Sequence, residues 1–309
     1  MEYVFGPVPS RRLGLSLGIN NIPPKHCTYS CVYCQLGRTT NLEIERKIFY
    51  DPSAIVRAAA DKIRRTNPDV VTFVPDGEPT LDLNLGKEIS EIKRISNFRV
   101  AVLTNASLLF RPDVREDLLN ADIVSIKVDA VTEKAWRRIN RPHPSLRLSD
   151  VLRGIEEFSS LFKGKLISET MLVKGMDKEE DLIAEFLGSI KLDKAYIGVP
   201  IRPPAEPWAI PPEEQDVIAA YNKFAEALGD KKVELLIGYE GSGFKLNGDP
   251  RRYLEAVAAV HPIRRDYAEE FLKNRGCDPN EIIEWLLRSG TLHECEYRGV
   301  KFLIRKFEH

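Results

Sequence analysis

Several features of membrane, secreted and strongly charged proteins are missing from this chain. No run approaches the roughly 18 consecutive apolar residues of a transmembrane helix, and residues 1–7 lack the basic-then-apolar order of a signal peptide. The formal net charge is only −1, so no bulk electrostatic field attracts the protein to a membrane or to nucleic acid. We therefore expect a cytoplasmic protein with no membrane partner.

Cysteine is also scarce, with five residues in 309, yet Cys27, Cys31 and Cys34 form one motif with the spacing C-x3-C-x2-C. In a reducing compartment, clustered cysteines bind metal or react more often than they form disulfides. Three thiolates can hold a [4Fe–4S] cluster and leave one iron open to an exogenous ligand. The alternatives are a chance cluster of buried cysteines and a structural zinc site, which needs a fourth ligand. Cys277 and Cys295 lie far away in the sequence.

Residues 51–238 alternate between short, β-branched apolar runs and longer amphipathic segments. Such alternation is typical of a parallel sheet with helices packed outside it. About six βα units predict a partial or complete α/β barrel, in which function lies on the loops that follow the strands. The predicted strands are 15–19, 70–74, 100–104, 123–128, 166–172, 195–201 and 233–237, and the predicted helices are 51–65, 85–95, 112–120, 149–162, 178–190 and 212–228.

The remaining residues, 246–309, have a different pattern. Arg251–Val260 and Arg264–Asn274 are predicted helices, and Asp278 caps a third that contains Trp285. Two short strands follow, with Arg298–Gly299 as the turn between them. Three helices and a β-hairpin predict a winged-helix-like domain, and the glycine-rich stretch 238–248 is the expected domain boundary. The third helix is acidic and apolar, so we expect Trp285 and its neighbours to pack on the barrel.

The cysteine motif, with aromatic Tyr33 just before the third cysteine, resembles the signature of the radical S-adenosylmethionine (SAM) superfamily. The resemblance implies a partial (β/α)6 radical SAM barrel over residues 1–240 and a [4Fe–4S] cluster on Cys27, Cys31 and Cys34. It also implies that the open iron binds SAM. An electron from a donor such as ferredoxin or flavodoxin then cleaves SAM, and the 5′-deoxyadenosyl radical abstracts hydrogen from a substrate.

Residues after the later strands resemble the SAM contacts of this superfamily. The Asp76-Gly77-Glu78 segment resembles a Gly-Gly-Glu segment that binds the SAM amino group, and a plain turn is the alternative. Lys127 and Asp129 share a strand face. The resemblance implies that Lys127 binds the carboxylate of SAM and that Asp129 binds its ribose. The alternative is a charged pair that only makes the mouth of the barrel polar. The expected cofactor-binding residues are Tyr33, Asp76, Gly77, Glu78, Thr104, Asn105, Ser125, Lys127 and Asp129.

Two loops are expected to face the substrate. Asn140 and Arg141 follow the fourth strand, and Arg202 lies in the proline-rich segment 200–212, where an arginine suits a phosphate or carboxylate. Rigid surface connectors are the alternative. Together with the run 5–14, these loops resemble an archaeal and bacterial radical SAM group related to the enzymes that build wyosine on tRNA.

Three functions remain open from the sequence. The first is radical modification of RNA, with tRNA as the candidate; the second is radical modification of a protein or peptide; the third is a non-catalytic Fe–S or zinc binding protein. Residues 249–309 contain 11 Lys/Arg and 11 Asp/Glu, so they offer no surplus positive charge to nucleic acid. Their predicted hairpin nevertheless carries Arg298, Lys301, Arg305 and Lys306, which suit phosphate contacts.

Overall fold

The computed structural model describes residues 3–175, 179–237, 249–260 and 262–305. The strands are β1 (Val4–Ser10), β2 (Gly14–Ile19), β3 (His26–Cys27), β4 (Asn41–Leu42), β5 (Val70–Phe73), β6 (Arg99–Thr104), β7 (Ile123–Lys127), β8 (Lys165–Met171), β9 (Lys194–Gly198), β10 (Val233–Leu236), β11 (Ile263–Arg264), β12 (Leu292–Tyr297) and β13 (Val300–Arg305). The α-helices are α1 (Pro52–Thr66), α2 (Leu85–Ile95), α3 (Pro112–Leu118), α4 (Glu133–Ile139), α5 (Leu148–Leu161), α6 (Glu180–Ser189), α7 (Glu214–Leu228), α8 (Pro250–Val260), α9 (Arg265–Lys273) and α10 (Pro279–Arg288).

Eight strands form one sheet in the order β1-β2-β5-β6-β7-β8-β9-β10. The edge strand β1 is antiparallel to β2, and every later neighbouring pair is parallel. Helices link the successive parallel strands from β5 onward. The predicted α/β fold with a parallel sheet is therefore confirmed, and the carboxyl ends of its strands meet at one edge of the sheet.

The sheet is strongly curved. Strands in a sheet lie about 4.8 Å apart, so β2 and β10, which are six strand steps apart, would be separated by about 29 Å in a flat sheet. Arg11, just before β2, nevertheless donates a hydrogen bond to the carbonyl oxygen of Leu236 in β10. Arg12 likewise pairs with Glu169 in β8. These contacts cross the concave side of the sheet and enclose a lumen.

Apolar side chains close one end of this lumen. They come from six neighbouring strands, lie at similar heights, and include a partly buried residue of the turn before β2. Above this floor, Ser16 donates a hydrogen bond to the hydroxyl oxygen of Thr72 over 2.7 Å, so the lumen becomes polar towards the carboxyl ends of the strands. The floor residues are Leu13, Val70, Ala101, Ile123, Ile167, Tyr196 and Leu236.

Sequence patterns did not predict five of the labelled elements, among them the two-residue strands β3 and β4. The strand β1 contains Pro7 and Pro9, which lack the N–H that an interior strand must donate; both are tolerated because β1 is an edge strand. The helix α4 has only seven residues and is capped by Thr132, whose hydroxyl accepts from Ala135 N. The strand β11 has two residues, which is too short for a periodic pattern.

The C-terminal elements run in the order α8, β11, α9, α10, β12, β13, and the strands pair as β11-β13-β12. The predicted hairpin is confirmed, since Arg298 and Gly299 both have positive φ (54° and 75°), as a two-residue type I′ turn requires. Asp278 caps α10 by accepting from Asn280 N at 2.9 Å. The expected boundary at residues 238–248 lies outside the described residues.

The C-terminal helices pack on β1. Phe5 and Val8 of that strand belong to the same buried cluster as Phe271 of α9 and Ile283 of α10. Trp285 is different: it is 46% exposed, so the expectation that it packs on the barrel is wrong. Its neighbours Ile282, Ile283 and Leu286 supply the buried face of α10 instead.

Replacing Phe271 with alanine should reduce the free energy of unfolding by about 3–5 kcal/mol, because a buried ring leaves a cavity. The matched control is Trp285→Ala, which should cost about 1 kcal/mol or less, since this ring is half exposed and has a cation–π contact with Arg251. Denaturant unfolding of both variants measures the difference. Equal costs would contradict the packing described for α9 and α10.

Candidate functional site

The cysteine loop, residues 27–34, lies at the carboxyl edge of the parallel strands. It leaves the short strand β3, which pairs with β4. Two tight turns then follow, in which Cys34 N donates to Cys31 O at 3.1 Å and Gly37 N donates to Cys34 O at 3.0 Å. All three cysteine residues are partly exposed.

Three later loops hold the cysteine loop in place. These loops follow β5, β7 and β9, and each makes backbone hydrogen bonds of about 3 Å to it. The sequence elements that fix the thiols are therefore far from the cysteines in the chain. The bonds run from Glu78 N to His26 O (3.0 Å), from Ser30 N to Asn140 O (3.0 Å), from Val32 N to Ile139 O (2.9 Å), from His143 N to Thr28 O (2.9 Å) and from Glu206 N to Val32 O (2.9 Å).

Burial raises the pKa of all three thiols. The pKa of Cys27 lies well above its usual value, and the pKa of Cys31 rises to about 12 because Asp129 adds to the effect of burial. Burial also raises the pKa of Cys34, although the ammonium group of Lys25 opposes it. Burial therefore favours thiols over thiolates at all three positions, and a bound metal cation would reverse that preference.

Two asparagine amides point at the cysteine sulfurs. Asn105 Nδ2 lies 3.6 Å from Cys27 Sγ and donates to Thr28 Oγ1 at 2.7 Å. Asn140 Nδ2 lies 3.5 Å from Cys31 Sγ and donates to Asp129 Oδ2 at 2.7 Å. Each amide thus makes one short hydrogen bond to an oxygen atom and one longer contact with a cysteine sulfur.

Glu78 is buried, and both of its carboxylate oxygens have protein donors. Its Oε1 accepts from the Thr80 hydroxyl at 2.6 Å and from the Thr104 hydroxyl at 2.6 Å. Its Oε2 accepts from Asn105 N at 2.8 Å. Glu78 therefore joins the loop after β5 to the end of β6, and its Oε2, which accepts from Asn105 N, retains a second lone pair for a ligand donor.

Gly77 allows the loop after β5 to pass very close to the cysteine loop. A Cβ atom at this position would lie 1.9 Å from His26 O, which is far inside a van der Waals contact. Neighbouring Asp76 is partly exposed, and burial raises its pKa to about 6 while Arg305 and Lys25 act in the opposite direction. The segment predicted from sequence therefore contacts the residue before Cys27.

Asp129 is a second buried carboxylate with its oxygens occupied. Tyr33 donates its hydroxyl to Oδ2, and Asn140 donates to the same oxygen. Oδ1 accepts from Met171 N at 2.8 Å. The residue predicted to bind ribose thus connects the cysteine loop with β8, and its Oδ1, which accepts from Met171 N, can accept a further hydrogen bond from a ligand.

Lys127 faces the lumen between the floor and the cysteine loop. Its Nζ lies 3.1 Å from Glu169 Oε1 and 4.8 Å from the centre of the Tyr33 ring. Burial lowers the pKa of Lys127, and the charge of Asp129 opposes that effect. Arg12 pairs with the other oxygen of Glu169, so two cations share one carboxylate inside the lumen, and Ser125 is buried on the same strand as Lys127.

The predicted substrate residues have different surroundings. Arg141 pairs with Glu206, and Asn140 contacts the cysteine loop rather than open solvent. Arg202 is buried, and its guanidinium donates to Pro262 O at 3.2 Å and lies 3.5 Å from Gln35 Oε1. Arg202 therefore links the loop after β9 with the C-terminal elements.

Sequence reasoning missed three participants: Arg12, Glu206 and Lys25. Arg12 belongs to the run 5–14 that carries part of the resemblance, and Lys25 lies two residues before Cys27. Their contacts depend on sheet curvature and loop packing, which no spacing in the sequence reveals. Glu206 stands alone among prolines, and its role follows from two arginines that are 168 and 65 residues away.

Among the described residues, no group of three or more His, Cys, Asp and Glu side chains has the geometry of a single metal-ion site. A [4Fe–4S] cluster is different, because each thiolate binds a separate iron. Within the same residues, no helix combines the length and the apolar character needed to cross a membrane.

The family model described as the radical SAM superfamily matches residues 21–187, which are more than half of the chain and include the cysteine loop. The chain belongs to the radical SAM superfamily. This radical SAM protein is 44% identical over 314 residues to a UPF0026 protein of Methanocaldococcus jannaschii, with 100% of this chain and 97% of the relative covered. A UPF0026 protein of Synechocystis is 40% identical over 65% of this chain and 76% of its own length.

Among solved structures, the fold is similar to that of Streptococcus suis SuiB bound to S-adenosylmethionine. The TM-score is 0.51 at 14% identity, and the match covers 76% of this radical SAM chain and 53% of SuiB. Such a distant likeness shows the fold alone. Superfamily membership confirms the prediction of a radical SAM enzyme and supports SAM and a [4Fe–4S] cluster as its cofactors.

Replacing Gly77 with alanine should displace the loop that holds His26 and Cys27, because the added carbon overlaps a backbone oxygen. We expect a loss of about 1–3 kcal/mol in unfolding free energy and lower iron uptake after anaerobic reconstitution. Gly198→Ala is the control, since its nearest contact is the flexible end of Met171 at 3.7 Å. If the two variants have equal stability and equal iron content, the close approach of residue 77 to His26 O does not help to hold the cysteine loop.

Proposed function

We propose that this enzyme cleaves SAM reductively at a [4Fe–4S] cluster held by Cys27, Cys31 and Cys34, and that the 5′-deoxyadenosyl radical modifies a substrate. The observation that carries the proposal is the position of the three thiols at the carboxyl edge of the parallel sheet, where α/β enzymes bind their ligands. Cys277 packs against the C-terminal hydrophobic cluster instead.

The residues at the site suit such a cluster. Thiolates are the usual ligands of iron–sulfur clusters, and hydrogen bonds to the sulfurs help to set their reduction potential. The amides of Asn105 and Asn140 are in position for that role, at 3.6 and 3.5 Å from Cys27 and Cys31. Iron would also supply the positive charge that three buried thiolates need.

When bound, the cluster supplies the electron that breaks a carbon–sulfur bond of SAM. The chain would hold the cluster, orient SAM and shield both from water. Three cysteines leave one iron for the amino and carboxylate groups of SAM, and the later loops keep these thiols in place. Below them, the apolar floor closes one end of the lumen, so a radical formed there meets substrate rather than water.

We propose that SAM lies between the cysteine loop and the ends of β5, β6 and β7. Asp76 and the backbone of Gly77 would face its ammonium group, and Lys127 would bind its carboxylate. Asn105, Tyr33 and Ser125 line the same region. Because one oxygen each of Glu78 and Asp129 retains a free lone pair, we propose that these two carboxylates also contact SAM, while their protein donors fix their positions.

The finer architecture belongs to the same proposal. We propose that residues 1–240 form a partial (β/α)6 barrel, which the contact between Arg11 and Leu236 supports. We also propose that residues 246–309 form a winged-helix-like domain that helps to capture substrate. The order of three helices and three strands supports this assignment.

We propose RNA, with tRNA as the first candidate, as the substrate, and a ferredoxin or flavodoxin as the electron donor. RNA is proposed because the chain resembles a group related to the enzymes that build wyosine on tRNA. An arginine-rich face beside the cysteine loop also supports RNA. Modification of a protein or peptide is the alternative. Mass spectrometry of tRNA nucleosides and of the proteome, from cells with and without this protein, separates the two.

Anaerobic reconstitution tests the cluster. The protein should bind roughly four irons, and added SAM should perturb the spectrum of the reduced cluster. Alanine at Cys27, Cys31 or Cys34 should abolish both signals, because a ligand is lost. The controls Cys277→Ala and Cys295→Ala should keep both, and loss of iron in these controls would show that the ligands are misassigned.

Replacing Lys127 with methionine should keep the cluster but weaken SAM binding. Losing one charge-assisted hydrogen bond costs about 1.5–3 kcal/mol, or about 10- to 150-fold in affinity. Calorimetric titration of the reconstituted protein with SAM measures the change. Lys93→Met is the control, since Lys93 pairs with Asp122 at 2.6 Å outside the site; an equal effect of the two substitutions would refute the assigned contact.

A further inference from the structure

The segment 133–147 is the most basic part of the cysteine-loop surroundings. It contains five Lys or Arg residues and one carboxylate, Glu133, in a chain whose overall net charge is −1. Lys134, Arg137, Arg138 and Arg147 are exposed. Positive charge is therefore concentrated on α4 and on the loop that follows it.

Glu206 brings two further segments to this surface. Its carboxylate is only 8% exposed and accepts from Arg38 at 2.8 and 3.2 Å and from Arg141. The two arginine side chains are 70% and 39% exposed. One buried carboxylate thus orients two arginines from distant parts of the chain while both remain accessible to solvent.

An exposed aromatic ring lies beside these arginines. Trp208 is 39% exposed, and the guanidinium of Arg138 lies 5.6 Å from the centre of its ring. Trp208 follows Glu206 by two residues, so the ring and the arginine pair belong to one surface. We call Arg38, Arg138, Arg141 and Trp208 the arginine face.

The arginine face borders the cysteine loop. Glu206 N donates to Val32 O, and Val32 N donates to Ile139 O, both at 2.9 Å. Asn140, next to Arg141 in sequence, lies 3.5 Å from Cys31 Sγ. A ligand that covers the face therefore lies next to the site of SAM cleavage.

We propose that the arginine face binds an RNA substrate, with phosphates on the arginines and an unpaired base stacked on Trp208. This inference rests on the proposed function and names where its substrate docks. Guanidinium groups bind phosphates in fixed geometry, and exposed aromatic rings stack on unpaired bases. An enzyme that acts on a base in a deep site must take that base out of its stack, so contacts to flanking nucleotides belong at the mouth.

This assignment differs from the one that the sequence suggested. Lys301 of the C-terminal hairpin pairs with Glu294 at 2.9 Å, and Arg265 also pairs with Glu294. Lys306 lies outside the described residues. The carboxylate of Glu294 thus offsets positive charge on the hairpin, whereas the segment 133–147 contains five cations and one carboxylate, with Glu206 as a second carboxylate partner.

Binding of a fluorescein-labelled, unmodified tRNA transcript to the full-length protein tests the proposal. The double variant Arg38→Gln/Arg138→Gln should lower the slope of log affinity against log salt by about one to two. Trp208→Ala should weaken binding about 5- to 150-fold with little change in slope. Arg57→Gln/Arg64→Gln is the matched control, because these arginines are 70% and 71% exposed on α1 and should leave both quantities unchanged.

Other results overturn the proposal. It fails if the wild-type protein does not bind the transcript, or if the variants bind as the wild type does at equal thermal stability. It also fails if Lys301→Gln, rather than the arginine variants, lowers the salt slope. If the variants instead slow reduction by flavodoxin and leave RNA binding intact, the face binds the electron donor.

A separate measurement keeps the two proposals distinguishable. SAM cleavage by the wild-type protein with a chemical reductant needs neither RNA nor a protein donor. Salt-dependent RNA binding through the arginine face, without any SAM cleavage, would refute the proposed function and leave the face intact. Cleavage of SAM without RNA binding would refute RNA binding by the arginine face and leave the proposed function intact.

Discussion

Between Cys27 and Cys34 the chain has almost no regular structure, so its own hydrogen bonds cannot fix three sulfur atoms. The loops after β5, β7 and β9 supply that order through backbone bonds near 3 Å. Gly77 is part of the same constraint, because only a residue without a side chain can pass so close to His26 O. The geometry of the thiols thus depends on the completed sheet, and the site forms only when strands far apart in sequence have assembled.

The charged side chains around this loop are buried with opposite charges or with neutral hydrogen-bond donors. Glu169 pairs with Arg12 and Lys127, while Asp129 accepts from Tyr33, Asn140 and Met171. An unpaired buried charge is costly, so each of these contacts stabilises a buried charged side chain near the site. The thiols have the amides of Asn105 and Asn140 and the ammonium group of Lys25 as neighbours, and burial still raises the pKa of each thiol. A bound metal cation would reverse that shift.

Much of the fold was predictable from the sequence, because buried parallel strands such as Val70–Phe73 are continuous apolar runs and because Asp51 and Asp278 cap helices in a recognisable way. The edge strand β1 was not, since its two prolines conceal it. Trp285 was misjudged because an apolar residue next to a buried helix face has the same periodicity as a core residue. Whether such a residue is buried depends on which other elements pack against its helix or strand, and local periodicity does not show this.

The site was predictable to a similar degree. The spacing of the three cysteines and the resemblance at residues 76–78 pointed to segments that lie against each other in the structure, because both are local features. The partners of Glu78 and Asp129 were not foreseeable, since a carboxylate in a motif looks alike whether it faces a ligand or anchors a loop. The arginine face was equally hidden, because Arg38, Arg141 and Glu206 meet only through sheet curvature and loop packing.

The central claim is that three cysteines hold an open cluster that cleaves SAM. Its most direct test is to incubate the anaerobically reconstituted, dithionite-reduced protein with SAM and to quantify 5′-deoxyadenosine and methionine by chromatography. The account predicts that both products form in equal amounts, that they require the reductant, and that Cys31→Ala abolishes them. Tight stoichiometric zinc without iron uptake, or an iron-loaded protein that never yields 5′-deoxyadenosine, would contradict it.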